Sequence, residues 1–167
     1  MNRTLLEDEA KRLEEDLLWS MVANFQIATY WRVLHWIVGI PSVIIAAATG
    51  VAAVKAGNPD LIAILAVVSA VFGALSTFMN PQRSAREFHN SGVRCSALRG
   101  KLRRYWQIDV ARAELSDETL RKSLEKLAEE KSHLMETTPH TGGLAYWMAH
   151  RSIAKGHNKH LVDSANN

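Results

Sequence analysis

Several things are scarce in this sequence, and each shortage excludes something. Cys95 is the single cysteine among 167 residues, so an internal disulfide framework is excluded and a reduced, cytosolic setting fits. Glycine-rich phosphate loops of the GxxxxGK(S/T) or GxGxxG kind are missing. So are a nucleophile elbow and any CxxC or HExxH pair. The chemistry those motifs support has no foothold here. The sequence therefore predicts no enzyme, no cofactor and no metal centre. His140, His150, His157 and His160 do not repair this, since their spacing suits no common zinc site and no cysteine joins them. Residues 1–32 carry six acidic and four basic side chains, unlike the short basic stretch that opens a cleaved signal peptide.

The largest absence is of charge. No Asp, Glu, Lys or Arg occurs in the 22 residues of 33–54 or the 19 residues of 61–79. As helices these runs are roughly 33 and 28 Å long, against a hydrocarbon core of about 30 Å. The chain is 47% apolar and 22% charged, ordinary for a soluble domain, but the apolar residues are concentrated in these two runs. The expected fold is an all-α membrane protein, a single domain with three zones. Residues 1–32 form an amphipathic helix along Leu6, Ala10, Leu13, Leu17 and Met21. Residues 33–79 form a transmembrane hairpin turned at Gly57, Asn58 and Pro59. Residues 80–167 form further amphipathic helices. One starts at Asn80-Pro81 with a seam along Phe88, Ser91, Cys95, Leu98, Leu102 and Tyr105. Another is capped by Ser116, carries Leu120, Leu124, Leu127 and Leu134, and ends near Thr137-Thr138-Pro139. A last one is expected over 144–155.

Basic side chains set the expected orientation. Residues 80–104 hold Arg83, Arg86, Arg94, Arg99, Lys101, Arg103 and Arg104 against the single acid Glu87, whereas 55–60 hold only Lys55 and Asp60. The positive-inside rule then places both termini in the cytoplasm, with Tyr30, Trp31, Trp36 and Phe78 as an inner aromatic belt and Arg83 and Arg86 at the inner mouth. Two helices enclose no lumen, so conduction requires a homo-oligomer, such as a tetramer. Small residues at four-residue spacing, Ala46/Gly50, Ala48/Ala52, Ala66/Ala70/Ala74 and Ser69/Gly73/Thr77, allow close helix contact, within the hairpin or between copies. Ser69, Gly73, Ser76 and Thr77 are the candidate pore-lining residues, although membrane hydroxyls often bond their own backbone. Without a central charge, active transport is disfavoured and a passive pore that gates by dewetting remains. His35 at the inner end of the first span either reaches the headgroups or senses protons. Pro41 is expected to kink that span.

Three readings compete for the basic helix. It attracts anionic lipid, or binds a phosphate-bearing ligand, or pairs with the acidic helix 117–136. The ligand reading nominates Arg94, Arg99, Lys101, Arg103, Arg104 and Tyr105, with Trp106 beside Tyr105 as a stacking surface for bases. The lipid reading weakens with depth, because Lys101 and Arg104 lie roughly 30 Å below the bilayer if the helix runs straight.

An ordered set of segments resembles the SLATT family, the SMODS- and SLOG-associating two-transmembrane effectors of bacterial conflict systems. They are Leu17-Leu18-Trp19, Tyr30-Trp31-Arg32 with Gly39-Ile40-Pro41, and Phe78-Met79-Asn80-Pro81 followed by Ala85 and His89. Gly92-Val93-Arg94 leading to Leu98-Arg99, Thr138-Pro139, Ala145-Tyr146, Ile153-Ala154 and His160-Leu161-Val162-Asp163 complete the set, which covers nearly the whole chain. The resemblance implies a membrane-perforating effector of anti-phage defence in the bacterial inner membrane. It implies control by a nucleotide or oligonucleotide signal from a partner nucleotidyltransferase, and no binding of duplex nucleic acid. No fused sensor domain is visible, so either the chain's own helices or a separate protein reads the signal. Two other classes compete: a non-conducting membrane adaptor that recruits a cytosolic partner through the helical seam, and an unregulated holin-like toxin.

Overall fold

The computed structural model describes residues 3–55, 58–139, 143, 147 and 149–151. Its described residues are 91% helical with no strand, the all-α class expected. Four helices follow in order: α1 (Arg3–Val54), α2 (Pro59–Met79), α3 (Pro81–Arg104) and α4 (Asp117–Thr137), with a π-helical turn, Tyr105–Asp109, closing α3. The chain divides into two units, one of residues up to Ile27 and from Glu87 onward, the other Ala28–Arg86. The compositional break at residue 32 is not a break in secondary structure, because α1 continues through it and through Pro41. Of the helix expected over 144–155, only Trp147, Ala149, His150 and Arg151 are described, and all four are helical. His140, His157 and His160 lie outside the described residues, as do Ala145-Tyr146, Ile153-Ala154 and 160–163.

The first unit is a helical bundle whose core is the set of seams read from the sequence. Leu6, Ala10 and Leu17 of α1 pack with Cys95, Leu98, Leu102 and Tyr105 of the α3 segment and with Leu120, Leu124 and Leu134 of α4. A three- and four-residue apolar step puts each set on one helix face, and burying those faces together removes them from water. Cys95 is fully buried, and burial pushes its thiol above the ordinary value. Ser116 caps α4 as expected, its hydroxyl accepting the Thr119 N–H at 3.2 Å. The connection from the π-helical turn to α4 is held from a distance by Arg3. Its guanidinium donates to the carbonyls of Val110, Arg112 and Leu115 at 3.3, 2.9 and 2.7 Å and to Asp117 Oδ1 at 3.1 Å.

Gly92 lets α3 approach α1 closely. A Cβ there would lie 2.8 Å from the Phe25 ring, which itself tilts against His89 with centroids 5.5 Å apart. Gly92→Ala gains about 1 kcal/mol of helix propensity but overpacks this contact at about 1–3 kcal/mol. A net loss of about 1 kcal/mol is expected, read as a lowered urea midpoint for the bundle.

The second unit is the hairpin. Asn58 caps α2 by accepting the Asp60 N–H at 3.0 Å, with Pro59 as its first residue. At the other end Asn80 serves two helices. It ends α2 in the left-handed conformation, φ 39°, and its carbonyl and side chain both accept the Arg83 N–H, at 3.0 and 3.4 Å, at the start of α3. None of the residues in the most apolar 18-residue window of α1 or of α2 is buried. Val43, Ile64 and Phe78 are 68, 64 and 88% exposed. A soluble core helix of that length and hydropathy buries its residues, and leaving them in water costs about 25 cal/mol per Å² of apolar surface. Two helices long and apolar enough to cross a bilayer, with their apolar surface outward, are what a two-span membrane protein requires.

Candidate functional site

In the hairpin, α1 and α2 meet along a narrow seam. Val38, Ser42, Ile45, Thr49 and Ala52 face Ile62, Leu65, Ser69 and Phe72, all half-buried, and Ser69 Oγ donates to the Ser42 carbonyl at 3.4 Å. Ser69, nominated for a pore wall, thus bonds within the seam. Thr77 donates to the Gly73 carbonyl at 3.0 Å, Thr49 to Ile45 at 2.7 Å and Ser42 to Gly39 at 3.0 Å. These hydroxyls satisfy themselves on the backbone. The side chain of Ser76 lies outside the described residues.

The seam takes Ala52 and Ser69 from the small-residue sets and leaves others outside it. Ala46, Gly50, Ala66, Ala70 and Ala74 are exposed, and a Cβ on Gly50 or Gly73 would meet nothing within 4 Å. On a 100° wheel Ala46 and Gly50 stand about 80–120° from the α1 seam, and Ala66 and Ala70 stand about 80–120° from the α2 seam in the same rotational sense. Because the helices are antiparallel, these flanks lie on the same side of the hairpin. The opposite side carries Ile37, Ile44 and Val51 from α1, and Ile64, Val71 and Leu75 from α2. The hairpin therefore has one smooth face and one bulky face.

In the bundle, the six nominated ligand residues divide. Tyr105 is 2% exposed and donates its hydroxyl to the Leu120 carbonyl at 3.0 Å; burial, then Asp109, pushes its phenol up. No ring face is left on which a base could stack. Trp106 is also engaged: its Nε1–H donates to Glu14 Oε2 at 2.7 Å while Lys11 Nζ sits 5.1 Å from its ring centroid. Arg99 turns to α1, with Nε 3.2 Å from Glu14 Oε1 in a largely buried ion pair. Arg103 is half-buried and engaged. Lys101 pairs with Glu130 of α4 at 2.5 Å, as the salt-bridge reading expects. Arg94 and Arg104 are exposed. In the second unit, Arg83 and Arg86 are exposed, and Arg83 is engaged.

What brings the remaining cations together is a groove between α3 and α4. One recess of about 360 Å³ is lined by Lys101, Arg104, Asp109, Ser123, Lys126 and Glu130, with Tyr105 and Leu127 beside them. A second, of about 400 Å³, is lined by Arg94, Ala97, Leu98, His133, Leu134 and Thr137, and shares Glu130 with the first. The π-helical turn borders the basic recess: Tyr105, buried by the period of the α3 seam, begins the turn, and Asp109 at its end is among the lining residues. Such turns concentrate at functional sites. Lys126 and Ser123 were missing from the sequence reading because they stand on α4, opposite the helix that carries the basic run. No group of His, Cys, Asp and Glu among the described residues could hold a metal ion. Set against known protein families, curated proteins and solved structures, the chain matches none.

Proposed function

We propose that this chain is a membrane effector of the SLATT type, whose hairpins assemble into a homo-oligomeric pore in the bacterial inner membrane, controlled by a nucleotide signal. The observation that carries the reading is the hairpin itself, whose most apolar windows are wholly unburied in a single copy. Its two faces differ in side-chain size, so the smooth face of one copy suits the bulky face of the next. That is a head-to-tail contact, which generates a ring when the rotation closes. The hydroxyls of Ser42, Thr49, Ser69 and Thr77 bond to backbone carbonyls, so the wall of such a ring is largely apolar and gates by dewetting. The basic residues of 80–104 favour a cytoplasmic bundle with both termini inside and Arg83 and Arg86 at the inner mouth.

Control by a nucleotide or oligonucleotide from a partner nucleotidyltransferase fits the basic α3–α4 groove. Moving a gate from 1:99 to 99:1 takes about 5.5 kcal/mol of differential binding, and hydrogen bonds to charged groups supply about 1.5–3 kcal/mol each. Two to four such bonds per site suffice. Membrane disruption and growth arrest in anti-phage defence would follow from opening. The adaptor alternative would need a surface other than the Cys95–Tyr105 part of the seam, which packs against this chain's own α1 and α4. Dye release from liposomes tests the reading. A regulated pore releases dye in one nucleotide condition and retains it in another. No release in either condition leaves only an adaptor, and equal release in both leaves an unregulated toxin.

A further inference from the structure

We propose that the α3–α4 groove is a two-compartment site for a nucleoside phosphate, with the phosphates in the recess of Lys101, Arg104 and Lys126 and the base in the recess of Ala97, Leu98 and Leu134. The proposal names the ligand class for the gating site and rests on that reading only for its consequence, not for binding itself. Three observations carry it.

The first is charge. Arg104 and Lys126 are exposed and make no ion pair or hydrogen bond among the described residues. They share a recess with Lys101 and the Ser123 hydroxyl against only two acids, Asp109 and Glu130. A guanidinium fork, two ammonium groups and a hydroxyl around one small space are the donor set that phosphate oxygens accept from. The second is the contrast with the neighbouring recess, whose lining is apolar at Ala97, Leu98 and Leu134 and also includes Arg94 and His133. Arg94 also makes no pair among the described residues. A guanidinium together with apolar side chains in one recess is a set that can take a flat heteroaromatic ring, by stacking and by apolar contact. The third is size. Recesses of about 400 and 360 Å³ lie within the range of small-molecule sites, so each has room for a phosphate group or a base. From Arg94 to Arg104 the groove is about 15 Å long, the reach of one nucleotide unit and not of a long strand.

The Lys101–Glu130 pair stands where the recesses join. A phosphate that takes Lys101 competes with Glu130 for it. Both side chains are nearly half exposed, so the pair is cheap to open.

Binding to the full chain in phosphatidylcholine nanodiscs is measured with ADP, adenosine and inorganic pyrophosphate as probes. ADP is expected to bind at least tenfold tighter than either fragment. Arg104→Glu with Lys126→Glu should weaken ADP and pyrophosphate alike by tenfold or more; both residues are exposed, and unchanged helicity by circular dichroism verifies the fold. Ala97→Trp should fill the apolar recess, bringing ADP down to the pyrophosphate level while leaving pyrophosphate unaltered. Glu130→Gln should tighten ADP several-fold by removing the competing carboxylate. ADP binding no tighter than pyrophosphate, or unaffected by Ala97→Trp, overturns the base compartment. Indifference to the double charge reversal overturns the site. Loss of ADP binding when the discs contain phosphatidylglycerol assigns the cations to lipid instead, and also overturns it. Dye release is scored separately, so a pore with no ADP binding defeats this proposal alone, and ADP binding without dye release defeats the pore alone.

Discussion

Glu14→Ala is expected to destabilise the bundle by about 3 kcal/mol. Glu14 and Arg99 keep only 13 and 19% of their side-chain surface exposed, so solvent screens the pair little. Removing one partner of such a pair costs about 3–5 kcal/mol, chiefly because the other charge is left desolvated and unpaired. The Arg99 Nε approach is poorly aligned as a hydrogen bond despite its 3.2 Å separation, which argues for the lower end. Against that, the same carboxylate accepts the Trp106 N–H at 2.7 Å, so the substitution orphans a second donor. Urea unfolding followed by tryptophan fluorescence reads the effect directly. Asp16→Ala is the internal comparison: Asp16 pairs with Lys131, whose side chain is 18% exposed, but Asp16 itself is 65% exposed, so water screens this pair more and a smaller loss is expected. The double variant Glu14→Leu/Arg99→Met should recover most of the loss, since replacing a whole buried pair by apolar groups is often neutral. A Glu14→Ala cost no larger than that of Asp16→Ala would show that the pair is not desolvated.

This pair marks where sequence reading ended. The seams were legible because burial selects a periodic pattern, and every helix that buries one face writes its period into neighbouring positions. Cys95, Leu98, Leu102 and Tyr105 form one such series. Tyr105 also stood beside a basic run and so was nominated as a ligand; its place in the period was the better signal, and the ring went into the core. Single polar contacts between distant segments leave no period. Glu14 with Trp106 is separated by 92 residues, and Arg3 with Leu115 by 112. Neither has a spacing that announces it. The π-helical turn was equally hidden, since one inserted residue at a helix end changes no composition. The hairpin's uncharged runs were plain. Its division into a smooth and a bulky face was written in Ala66/Ala70 and Ile64/Val71, but became readable only once Ser42 and Ser69 fixed which sides face each other.

Those faces give the second large expectation. In a ring whose axis follows the membrane normal, neighbouring copies meet at equal depth, so Ala70 on the smooth face opposes residues near the level of Val71 on the bulky face of the next copy. Ala70→Leu adds three carbons to a surface that packs without room for them, costing about 1–3 kcal/mol at every interface of the ring. Because each copy supplies both faces, the penalty recurs once per subunit, and dye release per protein should fall more than tenfold with cross-linked rings lost to smaller species. Lipid tails are as apolar as leucine, so the same substitution is nearly neutral on a face that meets only lipid. Ala70→Leu with Val71→Ala should then restore rings and release, because the volume added on one face is removed from the other. A contact of smooth face on smooth face would leave the double variant as defective as the single one, since both opposing residues would still be leucine. Unimpaired release by Ala70→Leu alone would take the smooth face out of the assembly.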